Sequence, residues 1–345
     1  MWFMYASLAA VSFGLRGILY QWTSQRRTDR NVLLFGVYLS GALISFAVNL
    51  FVNQAWTYGV WLGVPMGLFS FIANASMYKG YSVGRASLIA LFTGLPPVVV
   101  ATLAYFLWGE ALGIMQLAGF CIVILGLLVI RYSHDLKLGQ LQGIQWGLLT
   151  MLFFGFTDLS SKQATLSAAN TLPVLTVMYG TGTILFACMY LLSRLKASAE
   201  TGQKIVAAQT ASVSMNDRKP GCGPDVQHAQ ISRHSDVDKA LHGSEDDVRT
   251  QPTTGGTDNP ASPAWSMKRT VLWGMTVGIT NLAGMLFIIP AFRGGVTGIV
   301  SAISAMSVVL VLLYAQFYLK EKISGREACG MLLALAGVLV VRLAS

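Results

Sequence analysis

Along most of the chain the apolar residues run on without the regular polar interruptions of a half-buried strand or a surface helix, and the polar residues gather in short joints. Between the joints lie apolar pieces of about 20 residues, each long enough as a helix, at ~1.5 Å per residue, to span the ~30 Å hydrocarbon layer of a bilayer. The pattern predicts ten spans, at 2–22, 32–53, 58–78, 86–108 and 112–131 and then at 143–165, 172–195, 270–290, 298–319 and 326–344. The expected class is an all-α polytopic membrane protein.

The ten spans are five taken twice. A shift of about 211 positions lays Gly67 on Gly278, Gly84 on Gly295, Glu110 on Glu321, Gly119 on Gly330, Gly126 on Gly337 and Arg131 on Arg342 without a gap. Earlier in the unit, Phe13-Gly14-Leu15 resembles Phe154-Gly155-Phe156 at a shift of about 141. The growth of the shift marks about 70 inserted residues between spans seven and eight. They are visible at 197–266, where the chain turns polar, rich in Gly, Pro, Ser, Thr and Asp, with no apolar period to build a core. Two domains follow: a five-helix repeat over 1–132, and a second over 141–345 interrupted by a disordered, cytoplasmic polar loop at 197–266.

Composition sharpens the class. Hydrophobic residues make up 54% and charged residues 11%, against the ~25% charged share of a soluble domain. A net charge of +9 would suggest nucleic acid for a soluble chain, but here the Lys and Arg stand beside the spans, so no nucleic-acid partner is expected. Odd-numbered joints carry Arg26, Arg27 and Arg30, then Lys79 and Arg85, Arg131 and Lys137, Arg194, Lys196, Lys268 and Arg269, and Lys320, Lys322 and Arg326. The other side holds Lys162, Arg293 and Arg342. The positive-inside rule then puts the odd joints in the cytoplasm and both termini outside. With five spans per unit the two halves are oppositely oriented, giving two inverted five-helix repeats, the plan of alternating-access carriers. The first run lacks a basic leader and a small-residue cleavage pattern, so it reads as a retained span.

Several polar residues inside the spans are candidates for substrate binding or gating. Arg16 shares a helical face with Tyr5, Ser12 and Tyr20; it is either a ligand for an anionic substrate group, with Lys79 and Arg85 on the same membrane side, or a snorkelling side chain among headgroups. Asp158 and Lys162, four residues apart with Ser161 between them, either form a structural pair or supply a protonatable carboxylate that couples transport to the proton gradient. Asn74 and Asn281 are amides in apolar helices, suited to binding substrate or to joining helices. Ser301, Ser304 and Ser307 make a polar strip in span nine. Pro96 and Pro97 remove amide donors in mid-helix, which favours a kink lining a cavity over mere packing. Glu110 and Glu321 read as caps of the helices that follow them. Cys121, Cys188, Cys222 and Cys329 show no paired spacing, and Cys222 with His228, His234 and His242 fits no compact zinc pattern, so neither disulfide, metal nor cofactor is expected.

The doubled five-span unit, the Ala-rich opening of span four, Pro96-Pro97, the Gly109-Glu110 joint and the glycines of span five resemble EamA-type permeases of the drug/metabolite transporter superfamily. The resemblance covers nearly everything but the insert, and the second copy departs from it with Ser307-Val308 in place of the proline pair. It implies that spans one, three, four, six, eight and nine line a central cavity while five and ten pack together. It also implies cytoplasmic termini, opposite to the charge count.

The function expected is a secondary-active transporter, an exporter, moving a small polar metabolite, amino acid or drug across the cell membrane by alternating access. Its partners are the lipid bilayer and a small-molecule substrate, anionic if Arg16 faces the cavity. Two alternatives stay open: a lipid or lipid-phosphate flippase of the same fold, and a membrane sensor or scaffold acting through the 197–266 loop. An enzyme is not expected, since HExxH, GxSxG, a Walker loop and paired intramembrane carboxylates are all missing from the sequence.

Overall fold

The computed structural model describes residues 1–24, 26, 28–83, 89, 92–131, 143–216, 265–318 and 325–344. Among them every regular element is helical. The first half contributes α1 (Trp2–Ser24), α2 (Arg30–Val52), a 3-10 turn (Tyr58–Leu62) leading into α3 (Gly63–Val83), α4 (Pro96–Trp108) and α5 (Ile114–Arg131). The second contributes α6 (Ile144–Leu166), α7 (Thr171–Asn216), α8 (Met267–Gly294), α9 (Thr297–Ala305), α10 (Ser307–Phe317) and α11 (Gly325–Leu343). Met1–Tyr190 and Asp258–Ser345 form one compact unit, and Leu191–Thr257 another.

Local chemistry sets several boundaries. Asp29 caps α2, its carboxylate accepting from the amides of Asn31 (2.9 Å) and Val32 (3.5 Å). At the other end Asn53 adopts the left-handed conformation at φ 54° and returns its N–H to Asn49. Gly109 ends α4 in the same way, at φ 66°. Among the described residues five helical segments are long and apolar enough to cross a membrane: Trp2–Tyr20, Arg30–Val52, Tyr58–Met77, Thr171–Leu195 and Met267–Gly294. Pro96–Trp108, Ile114–Ile130 and Thr297–Val311 are apolar but shorter.

Two expectations are corrected here. The prolines do not kink a continuous helix: Pro96 and Pro97 open α4, where an amide donor is dispensable, after a break at Leu95. The second half breaks at the equivalent place, Met306, without a proline. At both sites the chain makes the same pair of tighter turns, Leu95 N–H to Phe92 O and Val98 N–H to Leu95 O, matched by Met306 to Ile303 and Val309 to Met306. The second correction concerns the insert: α7 runs on to Asn216, some twenty residues into the stretch read as disordered. Its Ala-rich sequence, free of proline up to Asn216, favours helix, and the composition that suggested disorder belongs to 217–264, which lies outside the described residues.

Helix packing in the larger unit repeats at the offsets seen in the sequence. Helix α2 packs on α8, and α1 on α8 and on α9–α10; the contacts equivalent to those of α1 are made by α6, on α3 and on α4. A side chain on Gly63 would strike the Val174 carbonyl, and one on Gly274 the Leu33 carbonyl; one on Gly67 would strike Met178 and Thr181, and one on Gly278 Val37 and Ser40. Each member of these pairs is the other shifted by about 211 in the glycine and about 141 in its neighbour. Gly14 against Leu310 and Gly155 against Val99 are related with the offsets exchanged, about 141 in the glycine and about 211 in its neighbour. Gly41 abuts the Tyr179 ring while Gly182 abuts Tyr38, and Gly119 approaches Gly337 while Gly126 approaches Gly330 and Ala334. In both cases one number rises as the other falls, so α2 and α7 are antiparallel, as are α5 and α11.

Candidate functional site

The polar residues of α1, α2, α3, α7 and α8 meet inside the larger unit. Arg16 turns inward rather than toward the helix end: its Nη1 donates to Asn281 Oδ1 at 2.5 Å, and its guanidinium lies 4.8 Å from the Phe13 ring centre and 6.0 Å from that of Tyr20. Across from it, the hydroxyls of Tyr38 and Ser70 share a short hydrogen bond, and Asn74 Nδ2 donates to Tyr38 Oη (3.3 Å) and to the Ser70 carbonyl (2.7 Å). The Tyr38 ring meets Tyr179 edge-on at 5.7 Å and leans on Phe186 at 5.1 Å.

Two groups in this cluster are buried with no hydrogen-bond partner among the described residues, Arg16 Nε and the Tyr179 hydroxyl. Such groups are rare in folded proteins because each forfeits its hydration for nothing in return. Nε sits on the edge of the guanidinium that Asn281 leaves open, the edge with which arginine grips a carboxylate or phosphate through two parallel N–H bonds. The cluster also respects the repeat. Tyr38 and Tyr179 are equivalent at a shift of about 141, as are Ser70 and Asn281 at about 211. Arg16 has Thr157 as its counterpart and gives the cluster its one-sided charge.

A second polar group lies where α8 ends and α9 begins. The expected pairing of Asp158 with Lys162 is not formed. Lys162 instead makes a 2.8 Å ion pair with Glu110 and donates to the carbonyls of Phe292 (2.9 Å) and Gly295 (3.4 Å), and Asp158 accepts from the Ser301 hydroxyl at 2.6 Å. Although Asp158 and Lys162 share one helix, each finds a better partner across a helix interface. Glu110, read from the sequence as the cap of the helix after it, caps α9: its Oε2 accepts from the Thr297 amide at 2.8 Å. The arrangement suits the helix dipoles, with an ammonium on the last carbonyls of α8 and a carboxylate on the first amides of α9. Burial pushes the Glu110 carboxyl up, but its bonds with Lys162 and Thr297 outweigh that and hold it below the usual carboxylate range.

Of the other candidates, Ser161 bonds the Thr157 carbonyl one turn back and Ser304 the Ser301 carbonyl, so both hydroxyls are used within their own helices. Pro96 and Pro97 are buried at the start of α4. Asn74 and Asn281 each join two helices, Asn74 to α2 through Tyr38 and Asn281 to α1 through Arg16. Arg85, Glu321, Cys222 and the loop histidines lie outside the described residues. Tyr38, Ser70 and Tyr179 were missed, because a tyrosine or serine in an apolar span carries no cost that marks it; the repeat offset was the signal that pairs them.

Comparison with known proteins agrees with this architecture. No curated protein matches the chain. A solved structure described as "Crystal structure of protein" is similar at 15% identity and a TM-score of 0.63, with 99% of each chain covered, a likeness of fold. The model of the EamA-like transporter family matches residues 1–132 and 254–343. The two matched stretches fall on the two repeats and together cover more than half of the sequence: the chain belongs to the EamA-like transporter family, membrane transporters of the drug/metabolite transporter superfamily.

Proposed function

We propose that the protein is a secondary-active carrier of the cell membrane, built from ten membrane helices in two inverted repeats, that moves a small polar substrate by alternating access and holds an anionic group of it on Arg16. The observation that carries the reading is the buried Nε edge of Arg16, which, like the buried Tyr179 hydroxyl, has no hydrogen-bond partner among the described residues. Together they offer hydrogen-bond donors and a positive charge in a low-dielectric interior, where a charged ligand is recognised strongly and water poorly replaces it. The repeated glycine contacts and the antiparallel pairs α2/α7 and α5/α11 support inverted halves, since helices related by such a repeat meet head to tail. The broken helices at Leu95 and Met306 support a transport path between the halves, because free backbone groups at membrane depth stand where protein or water satisfies them.

Asp158 supplies the coupling group in this reading. With Lys162 committed to Glu110, its carboxylate faces a neutral hydroxyl, and exchange of a proton there changes what Ser301 of the broken helix is bound to. The Glu110 and Lys162 pair ties the α4–α5 joint of the first half to α6, α8 and α9 of the second.

The test is a thermal-shift screen of the purified protein against small organic carboxylates, phosphate esters and neutral analogues of the same size. An anion that binds the folded form alone raises its stability by about 2.7 kcal/mol at a hundredfold excess over its Kd. Stabilisation by an anion, absent in Arg16→Ala, is the expected result; stabilisation by neutral analogues alone, unchanged in Arg16→Ala, contradicts the assignment.

A further inference from the structure

Where α1 ends and α8 begins, three tryptophans and two arginines form a cluster that the transport reading does not use. Trp22 lies 4.7 Å from Trp273 and 5.9 Å from Trp265, ring centre to ring centre, and Trp265 lies 6.2 Å from Trp273. Trp273 Nε1 donates to Thr23 Oγ1 at 2.7 Å, which fixes the group to α1. The Arg26 guanidinium sits 4.1 Å from the Trp22 ring and 5.5 Å from Trp265, and that of Arg269 sits 4.5 Å from Trp265. Both arginines are exposed, and among the described residues no carboxylate pairs with either.

We infer that this cluster binds the phosphate of an anionic phospholipid. The apolar windows of α1 and α8 run over Trp2–Tyr20 and Met267–Gly294, so Trp22 and Arg26 lie beyond the end of one and Trp265 just before the start of the other, at headgroup depth. Stacking on tryptophan covers a guanidinium's faces and leaves its donors in the ring plane, free to grip phosphate oxygens in pairs. Two guanidiniums within 5.5 Å of the same ring centre repel each other in the absence of an anion, and a phosphodiester between them relieves that repulsion. The lipid, rather than free phosphate, is the ligand that also uses the adjoining surface: Leu272 and Ile279, a heptad apart on the exposed side of α8, offer an acyl chain apolar contacts on either side of Thr276, whose hydroxyl is turned back to the Leu272 carbonyl.

The experiment is native mass spectrometry of the full-length protein in detergent, titrated with phosphatidylglycerol, phosphatidylcholine or inorganic phosphate. A juxtamembrane arginine near an anionic surface contributes about fivefold in affinity, so the two together predict a roughly 25-fold preference for phosphatidylglycerol over phosphatidylcholine. The double variant R26Q/R269Q is expected to lose that preference, and the single variants about fivefold each; R293Q, on the far end of α8, is expected to keep it. The single variants decide the matter if the double variant does not purify folded. Equal binding of the two lipids, a preference that survives in the arginine variants, or displacement of phosphatidylglycerol by millimolar inorganic phosphate overturns the inference.

Discussion

Glu110 and Lys162 come from different halves of the chain, and their 2.8 Å pair closes a corner at which one helix ends and the next begins. Lys162 is 8% exposed and Glu110 19%, so neither charge is well hydrated and each depends on the other. Removing one partner of a fully buried pair costs ~3–5 kcal/mol; with Glu110 partly open to solvent, Glu110→Gln is expected to cost roughly 2 kcal/mol, and Lys162→Met combined with Glu110→Gln less than the two singles together. Melting of the purified variants in detergent checks both statements.

The same pair predicts a direction for acid sensitivity. The Glu110 carboxyl titrates lower when folded than when unfolded, so its contribution is complete above the unfolded value, about pH 4.3 for glutamate, and is lost as the pH falls through the folded value. Wild type should therefore lose melting temperature below that pH more steeply than Glu110→Gln. Parallel curves for the two proteins count against the pairing.

The equivalence of the halves makes a paired forecast. Gly63→Val and Gly274→Val each drive a side chain into a helix carbonyl, at Val174 and Leu33 respectively, and overpacking of this kind costs ~1–3 kcal/mol. Both variants should lose stability by similar amounts. A large loss in one and none in the other would show that the two contacts are not equivalents.

The break at Met306 gives a position test. Ser307 begins α10 as Pro96 begins α4, so Ser307→Pro is expected to change stability by less than about 1 kcal/mol, whereas Leu310→Pro, inside α10, should cost ~3 kcal/mol or more. Folded yield and melting temperature of the two variants separate the outcomes.

Much of the fold was legible because it rests on properties a sequence displays directly. Apolar run length marks the spans, and a glycine that must admit a neighbouring backbone keeps its place in both copies, as Gly67 and Gly278 do. Pairings between side chains were less legible. Asp158 and Lys162 stand one helical turn apart, and nothing in their spacing tells that Lys162 reaches instead for Glu110, fifty-two positions back, or that Asp158 reaches for Ser301. Those choices are made by which helices come together. Arg16 and Asn281 were each marked as costly in a span, but their contact depends on α1 lying against α8, which the apolar pattern leaves open. The break at Met306 was hidden for a similar reason, since Ser307-Val308 carries no helix-breaking residue and the discontinuity shows only against its proline-bearing twin.

Asp158 is expected to separate coupling from exchange. In proteoliposomes Asp158→Asn should abolish uptake driven by a pH gradient while leaving substrate counterflow within about twofold, because the amide keeps a hydrogen bond to Ser301 but carries no proton to exchange. Equal loss of both activities would make Asp158 a structural residue.

The most direct test of the account is transport by Arg16→Lys and Arg16→Ala at matched membrane expression. An ammonium does not reproduce the guanidinium's planar fork, so a site that grips its ligand through the Nε edge should lose activity in Arg16→Lys nearly as far as in Arg16→Ala, about tenfold or more. Full activity in Arg16→Lys would contradict it, leaving Arg16 a positive charge tied to Asn281 and removing the reason to expect an anionic substrate.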